Sequence, residues 1–434
     1  MSDAMVGVLM FAMMTVLILT GIPLAVSMLL SSAVGFFMIG GWTMLETQFT
    51  SGLFSTCANY SFAVIPLFMV MGALCSDTGI GEGTFTAAKK WLGNLRGGLL
   101  DAVVIANMIF GACSGVSAAG NIVFSRIALP ELDRYGYDRG LSLGTITCAG
   151  SLSVLIPPSM PILVFSLMTG VSVANALVAG ISTGLVFAAL MLIVVNVIMF
   201  LQPRKVPPRN TEKVPLREKL ATLKLLLPIL ALFALVVGGS FAGWFPATVG
   251  GAVAMVAVLI YAICIRMPFR KIWHSIWDGL HGFGNIYLIV ISGTMFGRVI
   301  ALSGLAQTVA EFIASLHVAP FVVFLMVILF YMFCGCFMDC LSIIIITVPV
   351  VYPVLTGLGY DPIVLVMLLV FAMEISNLTP PVGLAVFYVA NAVNESPAFI
   401  FKNVVVYFLM DLLFVLLFAL FPDIIMWLPK LLGY

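Results

Sequence analysis

Two pairs of consecutive prolines interrupt apolar stretches that are otherwise long enough to be helical. Pro157-Pro158 breaks the segment 141–169 at 156–159, and a second Pro-Pro pair breaks the segment 363–391 at 377–381. Each pair removes two backbone donors and clashes with the preceding turn, so the helix unwinds there. Unwound backbone exposes carbonyl and amide groups that bind ions and charged solutes. An ordinary kink between packed helices is the alternative for either break alone.

Two acidic residues lie in apolar surroundings. Asp339 stands beside a long apolar run, and burying a charge there costs roughly 2.5 to 3.5 kcal/mol on insertion scales. This cost favours a functional role for Asp339 over a water-exposed position. Glu374 precedes Asn377 by one helical turn. It is a candidate proton-coupling group, and a place in an aqueous vestibule is the alternative.

The composition places these residues in a membrane protein. Hydrophobic residues make up 62% of the 434 positions, charged residues only 9%, and the mean hydropathy is +1.21, which excludes the soluble globular class. Crossing the hydrocarbon core takes about 20 apolar residues. The first apolar run is expected to be a retained span, because no basic n-region and cleavage site mark a signal peptide. The clearest spans are 4–21, 24–40, 174–201, 223–239, 247–265, 284–302 and 404–421.

The chain repeats itself at an offset of 223 residues. This one register aligns Ser153 with Ser376, the tripeptide Gly-Tyr-Asp at 136–138 with the one at 359–361, and the two Pro-Pro pairs. Chance does not supply such a set in order, so the two halves are predicted to be internal repeats. Two breaks at equivalent positions favour a binding function over two unrelated kinks.

Basic residues orient the two halves, because cytoplasmic loops are enriched in Lys and Arg. They flank the apolar stretch 99–129 on both sides, whereas the loops that flank the matching stretch 321–351 contain none. Glycines and small polar residues interrupt both stretches. We therefore predict a re-entrant helical hairpin that enters from the cytoplasm, with its tip near 113–117, and a counterpart that enters from outside, with its tip near 335–340. Backbone at such a tip is tolerated only where it faces protein or water.

The predicted fold class is an all-α polytopic membrane protein with two inverted repeats, each with a re-entrant helical hairpin and a broken transmembrane helix. The first repeat is expected over 1–202 and the second over 223–434, with a cytoplasmic linker at 203–222. The termini then lie outside. Of the 19 Lys and Arg residues, all but Arg298 and Lys430 fall on the cytoplasmic side or at the base of the first hairpin.

Other chemistries lack the residues that they need. Walker, dinucleotide-binding and nucleophile-elbow signatures are absent from the sequence, which argues against ATP hydrolysis by this chain. A metal cluster at Cys334, Cys336 and Cys340 would have no nearby residue to complete four ligands, so these cysteines are interpreted as small apolar residues. The sequence contains no catalytic dyad of the kind that a membrane-embedded enzyme needs. We expect no organic cofactor and no nucleic-acid partner.

Five strings of the sequence resemble the large membrane subunit, DctM-like, of tripartite ATP-independent periplasmic (TRAP) transporters of the ion transporter superfamily. The resemblance spans nearly the whole chain. It implies a multi-pass protein of the bacterial inner membrane that takes up a small organic acid by sodium symport, with an elevator-like motion of the hairpins. The strings are IPLFMVMGALCSDTGI from Ile65, MIFGACSGVSAAG from Met108, IPPSMPILVF from Ile156, GYDP from Gly359 and NLTPPVGLAVF from Asn377.

The same resemblance implies partners for the chain. A soluble periplasmic binding protein is expected to deliver the organic acid. A small four-helix membrane subunit is expected to be a separate chain, because 434 residues leave no room for a fused one.

Carried over residue by residue, the resemblance also implies two sodium sites. Hydroxyl, amide and carbonyl oxygens suit such a hard monovalent ion. The ligands implied for the first site are Ser114, Gly115, Ser117 and Ser153, and those for the second are Asp339, Ser342, Asn377 and Thr379. The carboxylate of the organic acid is expected near Ser117, Pro158, Ser159 and Pro381. For Ser114 and Ser117, a hydrogen bond to the preceding helical turn is the alternative.

One stretch departs from the family pattern. Many relatives carry an acidic residue just after the serines of the first tip, where this chain reads Ala118-Ala119-Gly120-Asn121. Asn121 is a candidate substitute. Proton coupling through Glu374 remains an alternative to sodium, and an ion channel with re-entrant loops is a more distant one. Sialic acid, C4-dicarboxylates, keto acids and sugar acids all remain open as the solute.

Overall fold

The computed structural model describes residues 3–208, 214–315, 318–335, 338–380 and 383–433. These residues form helices joined by short turns, with no strand among them. In lipid no water satisfies the backbone groups, so helices that pair their own amides and carbonyls are the structure expected. Within the described residues, six helices are long and apolar enough to cross a membrane, or eight if each of two bent pairs is one span.

In the described range 3–202, eleven α-helices precede the linker. A π-helical segment, Gln48–Gly52, joins α2 to α3, and a 3-10 turn, Tyr60–Ala63, precedes α4. The axes of α4 and α5 differ by 57°. The helices are α1 (Asp3–Leu19), α2 (Leu24–Thr47), α3 (Leu53–Cys57), α4 (Val64–Asp77), α5 (Ile80–Leu92), α6 (Gly98–Ser114), α7 (Ser117–Arg134), α8 (Arg139–Ala149), α9 (Leu152–Leu155), α10 (Met160–Thr169) and α11 (Val173–Leu201).

The described residues after α11 begin with a 3-10 turn, Pro203–Lys205, and contain twelve more α-helices. A π-helical segment, Ala234–Gly238, joins α13 to α14. The helices are α12 (Leu216–Leu223), α13 (Leu227–Phe233), α14 (Gly239–Phe241), α15 (Ala247–Cys264), α16 (Phe269–Leu302), α17 (Leu305–Ser315), α18 (Pro320–Gly335), α19 (Cys340–Gly357), α20 (Pro362–Ser376), α21 (Leu384–Val393), α22 (Pro397–Leu420) and α23 (Asp423–Leu431). Helix α16 starts well before the predicted span 284–302, because no proline interrupts the amphipathic segment that leads into it.

The helices pack into two groups. One group, the scaffold, consists of α1, α2, α4, α15 and α16, in which α16 packs along α2 and α4. The other, the hairpin unit, consists of α6 to α11 and α18 to α22, in which α6 packs on α7 and α9, α8 on α22, and α18 and α19 on α20. The two groups meet where α16 packs against α19 and where α4 packs against α6. A Cβ added at Gly293 of α16 would lie 1.8 Å from Cγ2 of Ile345, so this close approach requires glycine.

Helices α6 and α7 start and end on one face and form a re-entrant hairpin. The Leu99 amide near the start of α6 donates to the Tyr137 hydroxyl beyond the end of α7, at 3.4 Å. The next residue, Asp138, donates from its amide to the Lys205 carbonyl at 2.9 Å, so the linker lies on the same face. Helices α18 and α19 form the second hairpin, and unwound segments separate α9 from α10 and α20 from α21. The predicted fold class is confirmed.

Candidate functional site

The first hairpin ends in a glycine that is pressed against the first helix break. Gly115 lies between α6 and α7 with φ of +64°, a conformation that favours glycine. A Cβ at this position would lie 2.4 Å from the Pro158 carbonyl oxygen. The Gly115 carbonyl accepts a hydrogen bond from the Met160 amide at 3.2 Å. The first tip and the break between α9 and α10 therefore form one site.

Two buried serines begin helices at this site. Ser117 is the first residue of α7 and is 8% exposed. Ser159 caps α10, with its hydroxyl oxygen accepting from the Ile162 amide at 3.4 Å, and is 2% exposed. Ser117, Pro158 and Ser159, three of the four residues implied for the carboxylate, are thus placed at the first tip and the break that faces it. The fourth, Pro381, lies outside the described residues.

Buried oxygens without a hydrogen-bond partner collect beside this tip. The hydroxyls of Ser114 and Ser153, both implied sodium ligands, have no partner among the described residues. Neither has Oδ1 of Asn107, whose amide nitrogen donates to the Val103 carbonyl at 3.1 Å. A Cβ added at Gly120 would lie 2.8 Å from Asn107 Oδ1 and 3.0 Å from Ser153 Oγ. Buried oxygens that converge without a donor suit a hard cation.

Asn121, the candidate substitute for the missing acidic residue, uses its amide nitrogen to contact α8. In the orientation that satisfies its hydrogen bonds, the Asn121 amide nitrogen donates to the carbonyls of Ile146 and Thr147, at 3.1 Å each. Asn121 thus connects α7 to α8. The sequence analysis missed Asn107 because it lies inside an apolar helix. Its spacing of seven residues from Ser114 is the available signal, since that spacing places both on one helix face.

Glu374 of α20 brings a carboxyl group to the first tip from the other half of the chain. Its side chain is 1% exposed. One carboxylate oxygen accepts from the Asn377 side-chain amide at 3.2 Å, and Ser117 is near the same carboxyl. The other oxygen has no partner among the described residues. Because 118–121 contains no acidic residue, Glu374 is a candidate carboxyl group for the first site.

The second hairpin tip carries its own carboxyl group. Asp339 precedes α19 and accepts a hydrogen bond from the Ser342 amide at 3.2 Å, while the Ser342 hydroxyl donates to its other oxygen. A negative charge is favourable at this end of a helix, because the first amides point towards it. Asp339 is half-buried, and its capping contacts leave lone pairs for an ion. Residues 336 and 337 of this tip lie outside the described residues.

The second hairpin packs against the second break through a glycine and a serine. A Cβ added at Gly335 would lie 1.6 Å from Ser376 Oγ. In the first half, a Cβ added at Gly111 would lie 2.8 Å from the Cα of Ser153, which aligns with Ser376 in the repeat. Each hairpin therefore presses a glycine of its first helix against the equivalent serine of its own broken helix.

The implied ligands Asn377 and Thr379 follow α20 directly and are 5% and 8% exposed. Asn377 Oδ1 has no partner among the described residues. No group of three or more His, Cys, Asp and Glu side chains in the described part of the chain is arranged to hold a metal ion. The two sites instead offer hydroxyls, amide oxygens and one carboxyl each, a donor set that fits sodium.

Comparisons with known proteins bear on the fold and the family of the chain. The family model described as "Tripartite ATP-independent periplasmic transporter, DctM component" matches residues 11–424. The chain is 31% identical over 386 residues to the C4-dicarboxylate TRAP transporter large permease protein DctM of Pseudomonas aeruginosa, which covers 88% of this chain and 89% of that relative. It is 24% identical to the sialic acid TRAP transporter permease protein SiaT of Haemophilus influenzae, over 96% of this chain and 67% of that relative.

A third relative and a solved structure extend the likeness. The chain is 25% identical to the ectoine TRAP transporter large permease protein TeaC of Halomonas elongata, over 98% of this chain and 99% of that relative. The crystal structure of the Alcanivorax borkumensis YdaH transporter aligns with a TM-score of 0.68 over 94% of this chain and 96% of that one. At 14% identity, this last match shows the fold alone.

Proposed function

The chain belongs to the family of the DctM component of tripartite ATP-independent periplasmic transporters, and from this premise we propose that it takes up a small organic acid anion by sodium symport. It is a multi-pass inner-membrane permease and not an enzyme. The observation that carries the proposal is the contact of Gly115 with Pro158, which joins a hairpin tip to a helix break beside buried oxygens that lack donors.

Sodium is supported by the kind of oxygens at the two tips. Ser114, Ser153 and Asn107 supply neutral buried oxygens to the first site, and Glu374 supplies a charge. Asp339 supplies the charge of the second site. A tenfold gradient contributes about 1.4 kcal/mol per ion, and a potential of 100 mV contributes about 2.3 kcal/mol per charge. Two net charges therefore support accumulation on the order of 10⁵-fold without a nucleotide.

The carboxylate of the solute is proposed to lie at the helix starts that face the first tip. Ser117 begins α7 and Ser159 caps α10, and the Met160 amide of α10 donates to the Gly115 carbonyl beside α7, so the first turns of the two helices are near each other. The first amides of α7 and the aligned peptide dipoles of both helices favour an anion. Pro158 lies between them in the chain's unwound segment, and Pro381 is proposed as the matching residue of the second half.

The proposal also includes the delivery of the organic acid to the chain and the motion of the hairpin unit. The relatives are named as permeases for a C4-dicarboxylate, sialic acid and ectoine, and we propose that a soluble periplasmic binding protein delivers the acid. A separate small membrane subunit is proposed to pair with the chain. An elevator-like displacement of the hairpin unit along the scaffold is also proposed, and Gly293 and Gly297 of α16 support it because they carry no side chain at the contact with α19.

Proton coupling is the second candidate function, and one observation favours it. Glu374 is almost completely buried, and one of its oxygens has no partner among the described residues. An ionised carboxylate is costly in such surroundings, whereas a protonated one is tolerated. In this alternative, Glu374 would bind and release a proton during each transport cycle.

Uptake into proteoliposomes tests the proposal. The vesicles would hold the chain with its small subunit and its binding protein, and radiolabelled organic acids would be added with or without an inward sodium gradient. We expect uptake that requires both sodium and the binding protein and that falls in Ser117→Ala and Asp339→Ala, but not in Ser51→Ala, a control on the exposed surface. Uptake driven by a proton gradient alone would favour the second candidate, and downhill flux without either requirement would indicate a channel.

A further inference from the structure

Arg298 carries a positive charge at the external end of the scaffold. Helix α16 begins beside the basic residues Arg270 and Lys271, which mark the cytoplasmic side. At 1.5 Å per residue, Arg298 lies roughly 40 Å further along this helix. Among the described residues no carboxylate forms an ion pair with Arg298.

The contacts of the Arg298 guanidinium are all with neutral groups. It donates to Gln48 Oε1 at 3.4 Å, to Ser55 Oγ at 3.4 Å and to Thr56 Oγ1 at 3.2 Å. These hydrogen bonds are long for such pairs. The hydroxyls of Ser55 and Thr56 donate in turn to the Gly52 carbonyl, at 2.8 and 3.0 Å. The guanidinium is therefore held in place while its charge stays uncompensated.

A cavity of about 430 Å³ opens beside this guanidinium, between the scaffold and the hairpin unit. We call it the Arg298 cavity. Thr56 of α3 and Thr294 of α16 line it on one side, and Thr169 and Tyr352 of the hairpin unit line it on the other. Its volume suits a small molecule rather than a folded segment of protein. A partly buried charge without an ion pair among the described residues is costly, and such groups are usually paired or functional.

We propose that the Arg298 cavity is a carboxylate-binding site at the external side, separate from the hairpin tips. Arginine presents a planar fork of N–H groups that matches a carboxylate in two hydrogen bonds, and such pairs are among the strongest in proteins. An organic anion bound there would touch both groups of helices, so its binding would depend on their relative position. Its place on the uptake route rests on the proposed function, whereas its affinity for a carboxylate does not.

A thiol-protection experiment tests the cavity without any transport. Thr294→Cys would be made in the full chain with the exposed Cys57 and Cys264 replaced by serine, and intact spheroplasts would be treated with a membrane-impermeant thiosulfonate. The probes are acetate and succinate, with succinamide as the uncharged control. We expect labelling from outside, protection by the two carboxylates and none by succinamide.

Changes at Arg298 decide whether the guanidinium is responsible. Arg298→Gln should raise the half-protecting concentration of succinate at least about 10-fold, because the charge-assisted pair is lost, and Arg298→Lys should raise it less. Lys430→Gln is the matched control, because Lys430 is the other basic residue assigned to the outside, and it should leave protection unchanged. Equal protection in Arg298→Gln and the parent, protection by succinamide, or no external labelling would overturn the proposal. Labelling that responds to phosphatidylglycerol content but not to carboxylates would also overturn it, in favour of a lipid headgroup.

Uptake kinetics test whether the Arg298 cavity lies on the uptake route of the organic acid. Arg298→Gln should raise the KM for the organic acid at least about fivefold and leave the maximal rate within twofold, while Lys430→Gln changes neither. A fall in maximal rate at unchanged KM would contradict a role in binding the entering anion. If the parent chain shows no uptake at all, the proposed function fails, and the protection experiment still decides whether the cavity binds a carboxylate.

Discussion

The two hairpin tips share their packing but differ in where their charge comes from. Each hairpin presses a glycine against the equivalent serine of its own broken helix, Gly111 against Ser153 and Gly335 against Ser376. The second tip carries Asp339 within its own hairpin, where it caps α19. The first tip carries no acidic residue of its own.

Glu374 of the second half is proposed to compensate for this difference. Its carboxyl group is near Ser117 at the first tip, so in the proposed site one repeat supplies the charge for the other. The comparison teaches that duplication has preserved the close contact between hairpin and break, because any side chain larger than hydrogen would prevent it. The position of a carboxyl group is less constrained, since residues from either repeat are near enough to provide it.

The largest expected effect comes from removing the charge that is shared between the repeats. Glu374→Gln keeps the shape of the side chain but removes a charged hydrogen-bond acceptor, whose loss costs roughly 1.5 to 3 kcal/mol. We expect sodium-driven uptake to fall about 10- to 100-fold. Glu395→Gln, on the exposed cytoplasmic loop between α21 and α22, is the control and should stay within twofold. Uptake in Glu374→Gln equal to that of the control would refute the shared charge.

Removing the charge at the second tip should have a smaller effect. Asp339→Asn keeps the cap of α19, because asparagine caps helices as well as aspartate does. The half-saturating sodium concentration should rise about 10-fold in uptake measurements, while the thermal unfolding temperature stays unchanged. Asp361→Asn is matched to it, since Asp361 caps α20 through the amides of Ile363 and Val364. An equal effect of both substitutions would mean that Asp339 acts only as a cap.

Substitutions of the two asparagines of the first hairpin should affect different properties, sodium affinity in one case and thermal stability in the other. Asn107→Ala removes an oxygen without a donor, so sodium affinity should fall about 3- to 10-fold with little change in unfolding temperature. Asn121→Ala removes two hydrogen bonds to α8, each worth about 1 kcal/mol, and should lower the unfolding temperature instead. Sodium titrations and thermal unfolding in detergent would measure both. The opposite pattern would assign the ligand role to Asn121.

The glycine contact of the second hairpin should affect stability. Gly335→Ala places a Cβ 1.6 Å from Ser376 Oγ, and forcing such a contact costs roughly 1 to 3 kcal/mol. Gly357→Ala at the end of α19 has nothing within 4 Å and should be neutral. Thermal unfolding of the two variants would compare them directly. If Gly335→Ala unfolds at the parent's temperature, the hairpin and the break are not in close contact.

The smallest effect is expected at the cytoplasmic base of the hairpin unit, where the repeats are joined by an ion pair. Arg139 Nε donates to Glu395 at 2.8 Å, and this hydrogen bond lowers the pKa of Glu395 from 4.5. A lowered folded-state pKa adds stability above 4.5 that is lost as the pH falls through the folded-state value. Glu395→Gln should therefore unfold slightly earlier than the parent near neutral pH, and the difference should shrink in acid. A difference that grows in acid would exclude this ion pair as its cause.

The fold could be predicted from the sequence because the features that indicate it are either local, such as a pair of prolines, or add up over many residues, such as hydropathy and loop charge. Consecutive prolines break a helix wherever they stand, and apolar length with loop charge indicates spans and their direction. The start of α16 was missed, since hydropathy detects the apolar part of a helix and not its amphipathic extension. The implied ligands at both tips stay predictions.

Contacts between distant segments were beyond the sequence. The proximity of Glu374 to Ser117 depends on how α20 packs beside the first hairpin, and no spacing within either repeat indicates it. Asn107 was hidden for a similar reason, because its oxygen becomes conspicuous only when Gly120 and Ser153 are placed around it. The lone charge of Arg298 was visible as an exception to the distribution of basic residues, but its cavity was not.

Equilibrium binding of ²²Na⁺ to the purified chain tests the central claim most directly, because it needs neither a known solute nor a partner. We expect Glu374→Gln to weaken one class of sodium site, Asp339→Asn to weaken the other, and the double variant to bind sodium weakly at both. The control Glu395→Gln with Asp361→Asn should bind sodium as the parent does. Sodium binding to Glu374→Gln that matches the parent in amount and affinity would contradict the claim that the second repeat completes the site of the first.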